Sequence, residues 1–348
     1  MLIEGCNRKD AVKEPIKIGA VLSITGFGSV YGENSRNGIE LAVKEINEAG
    51  GVKGRPLKVI YEDDATDGKT AVTIVNKFIS VDNVDAIIGG TWDLSLEPIV
   101  PIVEDANLLI INPSTGNTKK DSRLSPQLFR TWPSIHYQVS KFEPIVKKES
   151  IKTAVIFRNN GPWAFSHKTN LEELLEKNRG KLIEDFVGVN IDNNDFRSEI
   201  SKAKVLQPDA VFLAVGYNDA ANIVKRMKEQ GFKAIILSSE GSLNDALDLG
   251  LVSVEDADGS YMISLRAQDK EFIEKYKKEY GKKPGVSADT AYAALKILAE
   301  AYEETGTTET NIIRQYLQGL PLFDENGDAL HAVPIYKVEK GTRILQEE

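Results

Sequence analysis

Ile16-Lys-Ile-Gly-Ala-Val-Leu22 and the run that follows it, Thr25-Gly-Phe-Gly-Ser-Val-Tyr-Gly32, decide the fold. The first run is apolar and predicts a buried strand, and the second predicts a glycine-rich loop. An amphipathic helix is predicted over Arg36–Glu48, where apolar residues recur at helical spacing: Ile39, Ala42, Val43 and Ile46. A strand that leads through such a loop into a helix places a ligand site at its carboxyl end, where free N–H groups favour an acceptor or an anion. A dinucleotide-binding enzyme and a protein that only holds a small molecule both use this arrangement.

The composition is that of an ordinary water-soluble protein. The 348 residues exceed what one core comfortably fills and predict two α/β domains. The chain is 41% hydrophobic and 27% charged, and no apolar run approaches the roughly 20 residues of a transmembrane helix. A net charge of −9 argues against nucleic acid and against anionic membrane surfaces as partners.

Strands and helices alternate along the chain in two series of similar layout, and the second series begins near Ile151. This alternation predicts parallel sheets covered by helices on both faces, in two lobes. In the first series, one helix is predicted from Ser95 to Asp105. After Ser260 the pattern changes to helices and a hairpin, which indicates that the chain crosses back to the first lobe. Two lobes joined by several crossings form a cleft, and such clefts bind small ligands.

The motifs that carry enzyme chemistry are missing from the sequence. It has no Walker A loop, no His-Glu-x-x-His and no Gly-x-Ser-x-Gly elbow. The three histidines are far apart in the sequence and are interpreted as surface or hydrogen-bonded structural residues: His136, His167 and His331. We therefore expect no enzyme activity, no catalytic residue, no cofactor and no bound metal.

Two features leave a nicotinamide-dependent enzyme open as an alternative. The spacing of Gly26, Gly28 and Gly32 misses the dinucleotide fingerprint by one residue. The run Glu62-Asp-Asp64 ends the second predicted strand, where a dinucleotide enzyme keeps its ribose-binding acid. Acidic turns are common at strand ends, so this agreement carries little weight.

The single cysteine, Cys6, excludes an intramolecular disulfide and a multi-cysteine metal site. Ile3-Glu-Gly-Cys6 is similar to the tail of a bacterial lipoprotein cleavage site, which predicts a lipid anchor on Cys6. Residues 1–14 then form a polar tether, and the protein lies outside the cytoplasm, in the periplasm or at the cell surface. The alternative is a free thiol in a disordered tail.

Several runs, in this order and spacing, carry a resemblance to a known family: Ile18-Gly-Ala-Val-Leu-Ser-Ile-Thr-Gly26, Ala49-Gly-Gly-Val-Lys-Gly-Arg-Pro56, Tyr61-Glu-Asp-Asp64, Ile87-Ile-Gly-Gly90, Phe129-Arg-Thr131, Asp195-Phe196 and Pro208-Asp-Ala-Val211. The chain resembles the type I periplasmic binding proteins, in the branch of the leucine/isoleucine/valine-binding proteins of ABC importers. The resemblance implies two doubly wound parallel-sheet lobes joined by a multi-strand hinge. It assigns 15–133 plus 264–325 to lobe 1 and 134–263 plus 326–348 to lobe 2.

The resemblance also implies site residues in the second lobe and the first loop. Glu240, in Ser238-Ser-Glu-Gly241, falls where the family's amino-acid binders hold the ligand ammonium. A carboxylate in a closed cleft needs a cationic partner to offset its desolvation. Tyr31, Trp163 and Tyr217 fall at the family's ring walls, which bury much area and stack on flat or cationic groups. Each of these residues also has a purely structural alternative. In that alternative, Glu240 lies in a solvated loop, and the rings of Tyr31, Trp163 and Tyr217 pack in the core.

The first-lobe loops depart from the family pattern. Asp93, with Trp92 beside it, stands where the family has a serine for the ligand carboxylate, and Gly116 stands where it has a threonine. The backbone N–H of Gly116, or the hydroxyls of Ser114 and Thr115, can take over. An ionised Asp93 against a ligand carboxylate would cost several kcal/mol in a dry site. Either Asp93 points away, or the ligand is more cationic or amide-like than an aliphatic amino acid.

Together with the two-lobed pattern, the resemblance implies an extracytoplasmic solute-binding protein of an ABC importer that closes two hinged lobes on its ligand. The ligand is expected to be an amino acid or a cationic, amide or aromatic analogue of one. The expected partners are that small molecule and a membrane-embedded ABC permease, with the protein itself a monomer. A sensory domain with the same pocket and a signalling partner remains open.

Overall fold

A computed structural model of the protein describes residues 13–116, 124–190, 192–330 and 332–346. Cys6 and His331 lie outside the described residues. The chain divides into two compact units. The first unit holds the described residues up to Thr115, those from 124 to Trp132, and Arg266–Gly327. The second unit holds Gly116, the described residues from Pro133 to Leu265, and those from Asp328 onward.

Twelve strands alternate with helices in the described residues. The strands are β1 Ile16–Leu22, β2 Leu57–Asp63, β3 Ala86–Gly89, β4 Leu109–Asn112, β5 Leu128–Arg130, β6 Thr153–Arg158, β7 Lys181–Val187, β8 Ala210–Ala214, β9 Ile235–Ser238, β10 Tyr261–Ile263, β11 Ile335–Glu339 and β12 Thr342–Leu345. The helices are α1 Ser29–Glu48, α2 Gly68–Lys77, α3 Asp93–Leu96, α4 Val100–Asp105, α5 Ile135–Ser140, α6 Glu143–Lys148, α7 Pro162–Lys177, α8 Arg197–Leu206, α9 Tyr217–Glu229, α10 Leu243–Asp248, α11 Lys270–Tyr280, α12 Ala288–Thr305 and α13 Thr310–Gln318. A π-helical turn, Phe78–Asp82, extends α2.

The first unit contains a five-stranded, all-parallel sheet in the order β2-β1-β3-β4-β5. Strands β1, β3 and β4 are mostly apolar and almost wholly buried because helices cover both faces of the sheet, whereas the edge strand β2 is only partly buried. The second unit contains a seven-stranded sheet in the order β12-β11-β10-β9-β8-β6-β7. Its central strands are parallel, and β11 and β12 add an antiparallel edge. The predicted class of two parallel α/β sheets is confirmed.

Two predicted elements of the first unit were wrong in their bounds. Helix α1 begins at Ser29, so the second half of the predicted glycine-rich loop is helical. A Cβ on Gly32 would lie 2.0 Å from the carbonyl oxygen of Ser23, so only glycine lets this turn lie against β1. The single helix predicted over Ser95–Asp105 is two short helices, α3 and α4. Pro98 lacks the N–H that would continue α3, and Pro101 lies in the first turn of α4, where proline is tolerated.

The helices after Arg266 complete the first unit through a close approach of α12 to α1. A Cβ on Gly38 would lie 2.0 Å from the carbonyl oxygen of Ala288. One turn away, the Ser35 hydroxyl donates to Ser287 Oγ at 2.9 Å, and Ser287 Oγ donates to the carbonyl oxygen of Tyr31 at 3.0 Å. The position of Tyr31 therefore depends on a segment more than two hundred residues later in the chain.

Candidate functional site

The loop between β1 and α1 is held by the acids that end β2. Asp63 Oδ1 accepts hydrogen bonds from the backbone N–H groups of Ile24 at 2.9 Å and Thr25 at 3.1 Å, and Oδ2 accepts from Thr25 Oγ1 at 2.6 Å. Asp64 Oδ1 accepts from Ser23 Oγ at 2.6 Å. Burial raises the pKa of Asp63, but these hydrogen bonds outweigh it and hold the pKa below its ordinary value. Asp63 and Asp64 thus form hydrogen bonds to the protein's own loop, which gives both acids a structural role.

Aromatic rings cluster at the carboxyl ends of β1 and β3 in the first unit. Tyr31 meets Trp92 edge-on with ring centroids 5.9 Å apart, and the ring centroid of Trp132 lies 6.2 Å from that of Tyr31. Phe27, which is 54% exposed, meets Trp92 at 4.9 Å. The structure thus brings together the predicted Tyr31 and Trp92, and adds Phe27 and the buried Trp132, which sequence reasoning missed. Phe27 lies in the quoted glycine-rich run, and Trp132 directly follows Phe129-Arg-Thr131.

The turn after β4 uses its hydroxyls internally. Ser114 Oγ donates to the carbonyl oxygen of Thr91 at 2.7 Å, and Thr115 Oγ1 donates to Asp93 Oδ1. The backbone N–H groups of Ser114 and Thr115 donate to Asn112 Oδ1 at 3.2 and 2.9 Å. The structure therefore places the predicted Ser114, Thr115 and Asp93 together, but as one hydrogen-bonded group.

Asp93 is half-buried at the start of α3. Burial raises the pKa of Asp93 to about 6, and the negative charge of Glu97 adds to the rise. The hydrogen bond from Thr115 and the positive charge of Arg130 lower the pKa but do not outweigh burial. Arg130 is 1% exposed in β5, a strand of three residues that the sequence pattern does not reveal. Gly116, the remaining predicted residue of this loop, is grouped with the second unit.

In the second unit, Glu240 and Trp163 form a hydrogen-bonded pair. The indole Nε1 of Trp163 donates to Glu240 Oε1 at 3.0 Å, and Glu240 is 7% exposed. Trp163 is predicted as a ring wall, and in the structure its indole N–H orients the acid. Its ring lies 4.6 Å from the ring of His167, whose Nδ1 is 2.9 Å from the carbonyl oxygen of Trp163. Burial lowers the pKa of His167 to about 4, so this support is uncharged at neutral pH.

Tyr217 is the first residue of α9 and is 40% exposed. The start of α9 is held by Asp192, whose Oδ1 accepts from the backbone N–H of Asp219 at 3.0 Å and whose Oδ2 accepts from Asn218 Nδ2 at 2.8 Å. Trp163, Tyr217 and Glu240 follow β6, β8 and β9, which are neighbours in the sheet order. Parallel strands end at one edge of a sheet, so these three residues share that edge.

The buried Asp219 gives the second unit a testable dependence on pH. Its Oδ1 and Oδ2 accept from the backbone N–H and Nδ2 of Asn194, each at 2.7 Å. Burial raises the pKa of Asp219 to about 6 despite these bonds, and the negative charge of Asp192 adds to the rise. Because the unfolded pKa is near 3.8, the folded state holds the proton more tightly. The contribution of Asp219 to the free energy of unfolding should therefore fall by about 3 kcal/mol as pH rises from about 4 to about 6.

Urea unfolding of the wild type and of Asp219→Asn at a series of pH values checks this dependence. The difference in stability between the two proteins should change across that window and level off above it. Parallel curves would show that Asp219 ionises alike in the folded and unfolded chains.

The described residues contain no helix with the length and apolarity that a membrane crossing requires. Each of the two α/β units carries aromatic rings and a half-buried or buried acid at the carboxyl edge of its parallel strands, which is where open α/β sheets bind small molecules. The chain belongs to the periplasmic binding protein family, whose sequence profile matches residues 15–337.

Relatives extend over almost the whole chain. The leucine-, isoleucine-, valine-, threonine- and alanine-binding protein of Pseudomonas aeruginosa is 26% identical over 94% of this chain and 91% of its own length. A branched-chain amino acid transporter substrate-binding protein of Streptococcus pneumoniae, solved with isoleucine, shares the fold with a TM-score of 0.78 at 23% identity, covering 95% of this chain and 98% of that one. A Rhodopseudomonas palustris solute-binding protein solved with 3,4-dihydroxybenzoic acid has a TM-score of 0.80 at 22% identity, covering 95% of each chain.

Proposed function

We propose that this protein is an extracytoplasmic solute-binding protein of an ABC importer and that it binds an amino acid or an amino-acid-like molecule. The observation that carries the proposal is Glu240, an acid 7% exposed that is oriented by the indole of Trp163 at the carboxyl edge of the sheet. A buried carboxylate is stabilised by a cationic partner, and a ligand ammonium supplies one. The ligands named for the Pseudomonas and Streptococcus relatives are amino acids and support the same class.

In this proposal, hinged closure of the two units captures the ligand. Glu240 takes the ligand ammonium, and the loop at 114–116 faces the other end of the ligand. Tyr31, Trp92 and Tyr217 act as ring walls, and Trp163 acts both as a wall and as the donor that fixes Glu240. The protein itself carries out no reaction and needs no cofactor.

The cellular setting belongs to the same proposal. A lipid on Cys6 anchors the protein as a monomer, and its partner is the ABC permease that accepts the ligand. A sensory domain would share the binding properties but not the permease. The genes beside this one decide between the two, because permease and ATPase genes support import.

Calorimetry and thermal unfolding with a ligand panel test the proposed function. The panel contains L-amino acids, their amides, alkyl amines, benzoate and NAD. We expect some amino compounds to raise the melting temperature, because a ligand at a hundred times its Kd stabilises the folded state by about 2.7 kcal/mol. Benzoate lacks a cation for Glu240 and should give no shift, and NAD should give none either. The absence of stabilisation by any amino compound would overturn the proposal, whether or not NAD or benzoate gives a shift.

A further inference from the structure

The side-chain hydrogen-bond donors at the end of β4 are already used within the first unit. Ser114 Oγ donates to the carbonyl oxygen of Thr91 at 2.7 Å, and Thr115 Oγ1 donates to Asp93. The amide nitrogen of Asn112 donates to the carbonyl oxygens of Gly89 at 2.8 Å and Gly90 at 2.5 Å. A ligand carboxylate needs hydrogen-bond donors. The side-chain donors of Asn112, Ser114 and Thr115 are instead bonded to acceptors of the protein itself.

An acceptor remains at the same place. Asp93 Oδ1 accepts a hydrogen bond from the Thr115 hydroxyl, whereas Asp93 Oδ2 accepts none from another residue that the structure describes. Asp93 is half-buried, so its second oxygen is favourably placed for a donor that replaces lost water. A ligand carboxylate brought against it would meet like charge in a poorly solvated place, which costs several kcal/mol.

The surroundings of Asp93 favour a nitrogen group as well. Trp92 directly precedes Asp93 in the sequence. The centroid of the Trp92 ring lies 5.9 Å from that of Tyr31, which meets it edge-on, and 4.9 Å from that of Phe27. Aromatic faces attract cations and stack on flat amide groups.

We propose that the ligand presents to the first unit an uncharged or cationic nitrogen donor, bound by Asp93, in place of a free carboxylate. This inference rests on the proposed function, because it names the ligand class of the same site. With an ammonium at Glu240, the ligand is then an amino-acid amide or a diamine. Both share the donor chemistry, and the test separates them.

The test compares three probes by calorimetry at neutral pH: L-leucine, L-leucinamide and 1,5-diaminopentane. We expect the wild type to bind the amide or the diamine at least ~10-fold more tightly than L-leucine. Asp93→Asn should reduce that ratio to within ~3-fold, because the charge that repels the carboxylate is gone. Glu104→Gln removes an equal charge from an exposed position on α4 and should leave the ratio unchanged.

The outcomes of this test distinguish a failure of the inference from a failure of the proposed function. A wild-type protein that binds L-leucine as tightly as its amide overturns the inference and leaves the proposed function standing. A protein that binds no amino compound overturns the proposed function, and the inference falls with it. If Asp93→Asn does not fold, the wild-type ratio still decides, and Asp93→Ser, which removes the charge but keeps a small polar group, replaces it as the variant.

Discussion

Glu240→Gln should strongly weaken the binding of amino compounds while leaving the second unit folded. The variant keeps the size of the side chain and an oxygen for the Trp163 indole, whose Nε1 lies 3.0 Å from Glu240 Oε1. It loses the charge that a ligand ammonium requires in a place that is nearly closed to water. Removing one partner of a buried charge pair costs about 2–5 kcal/mol, so affinity should fall by roughly 30-fold to several thousand-fold.

Calorimetry measures the loss, and circular dichroism shows whether the fold is retained. The matched control is Glu229→Gln, which removes the same charge from an exposed position at the end of α9 and should bind as the wild type does. Trp163→Phe adds a graded variant: it removes only the donor and should weaken binding by about 10-fold, less than the loss of the charge. Unchanged affinity in Glu240→Gln would remove Glu240 from the site.

Gly38→Ala should destabilise the first unit by about 3 kcal/mol or prevent its folding. Gly38 lies on α1 where α12 crosses closely, and an added Cβ would come within 2.0 Å of the carbonyl oxygen of Ala288. The atom in the way belongs to the backbone, so it cannot rotate aside as a side chain could. The helices must separate, which exposes the apolar residues that they bury together.

Urea unfolding measures the effect, and Gly319→Ala is the control in the same unit. The nearest atom to a Cβ at Gly319 is the carbonyl oxygen of Tyr316 at 3.4 Å, and its φ of −83° suits any residue. This control should change the free energy of unfolding by less than about 0.5 kcal/mol. Equal stability of Gly38→Ala and the wild type would mean that α1 and α12 approach less closely than described.

The alternation of apolar strands with amphipathic helices was enough to predict the parallel α/β class. Boundaries were harder, because they depend on contacts made far along the chain. The start of α1 at Ser29 follows from the fit of Gly32 against Ser23, and nothing local distinguishes that glycine from one in a turn. The short strand β5 was missed because three residues are too few to show a period.

The candidate site shows the same limit. Strand ends are readable in the sequence, so the residues that follow them could be named. The direction of each hydrogen bond could not, because it depends on partners from other loops. The sequence offers Thr115 as a ligand donor, yet its hydroxyl donates to Asp93, and the Trp163 ring proves to be a hydrogen-bond donor to Glu240. The assignment of all these residues to a ligand stays a prediction.

The hydrogen bonds that Asp63 and Asp64 accept from the loop before α1 affect the free energy of ligand binding. Hydrogen bonds from Ser23, Ile24 and Thr25 to these two acids fix the backbone that leads to Tyr31. An incoming solute then meets a preorganised surface, and little of its affinity is lost to freezing a mobile segment. Selectivity at this wall is accordingly set by shape and polarity that exist beforehand, and a poorly matched solute cannot reshape the loop to improve its fit.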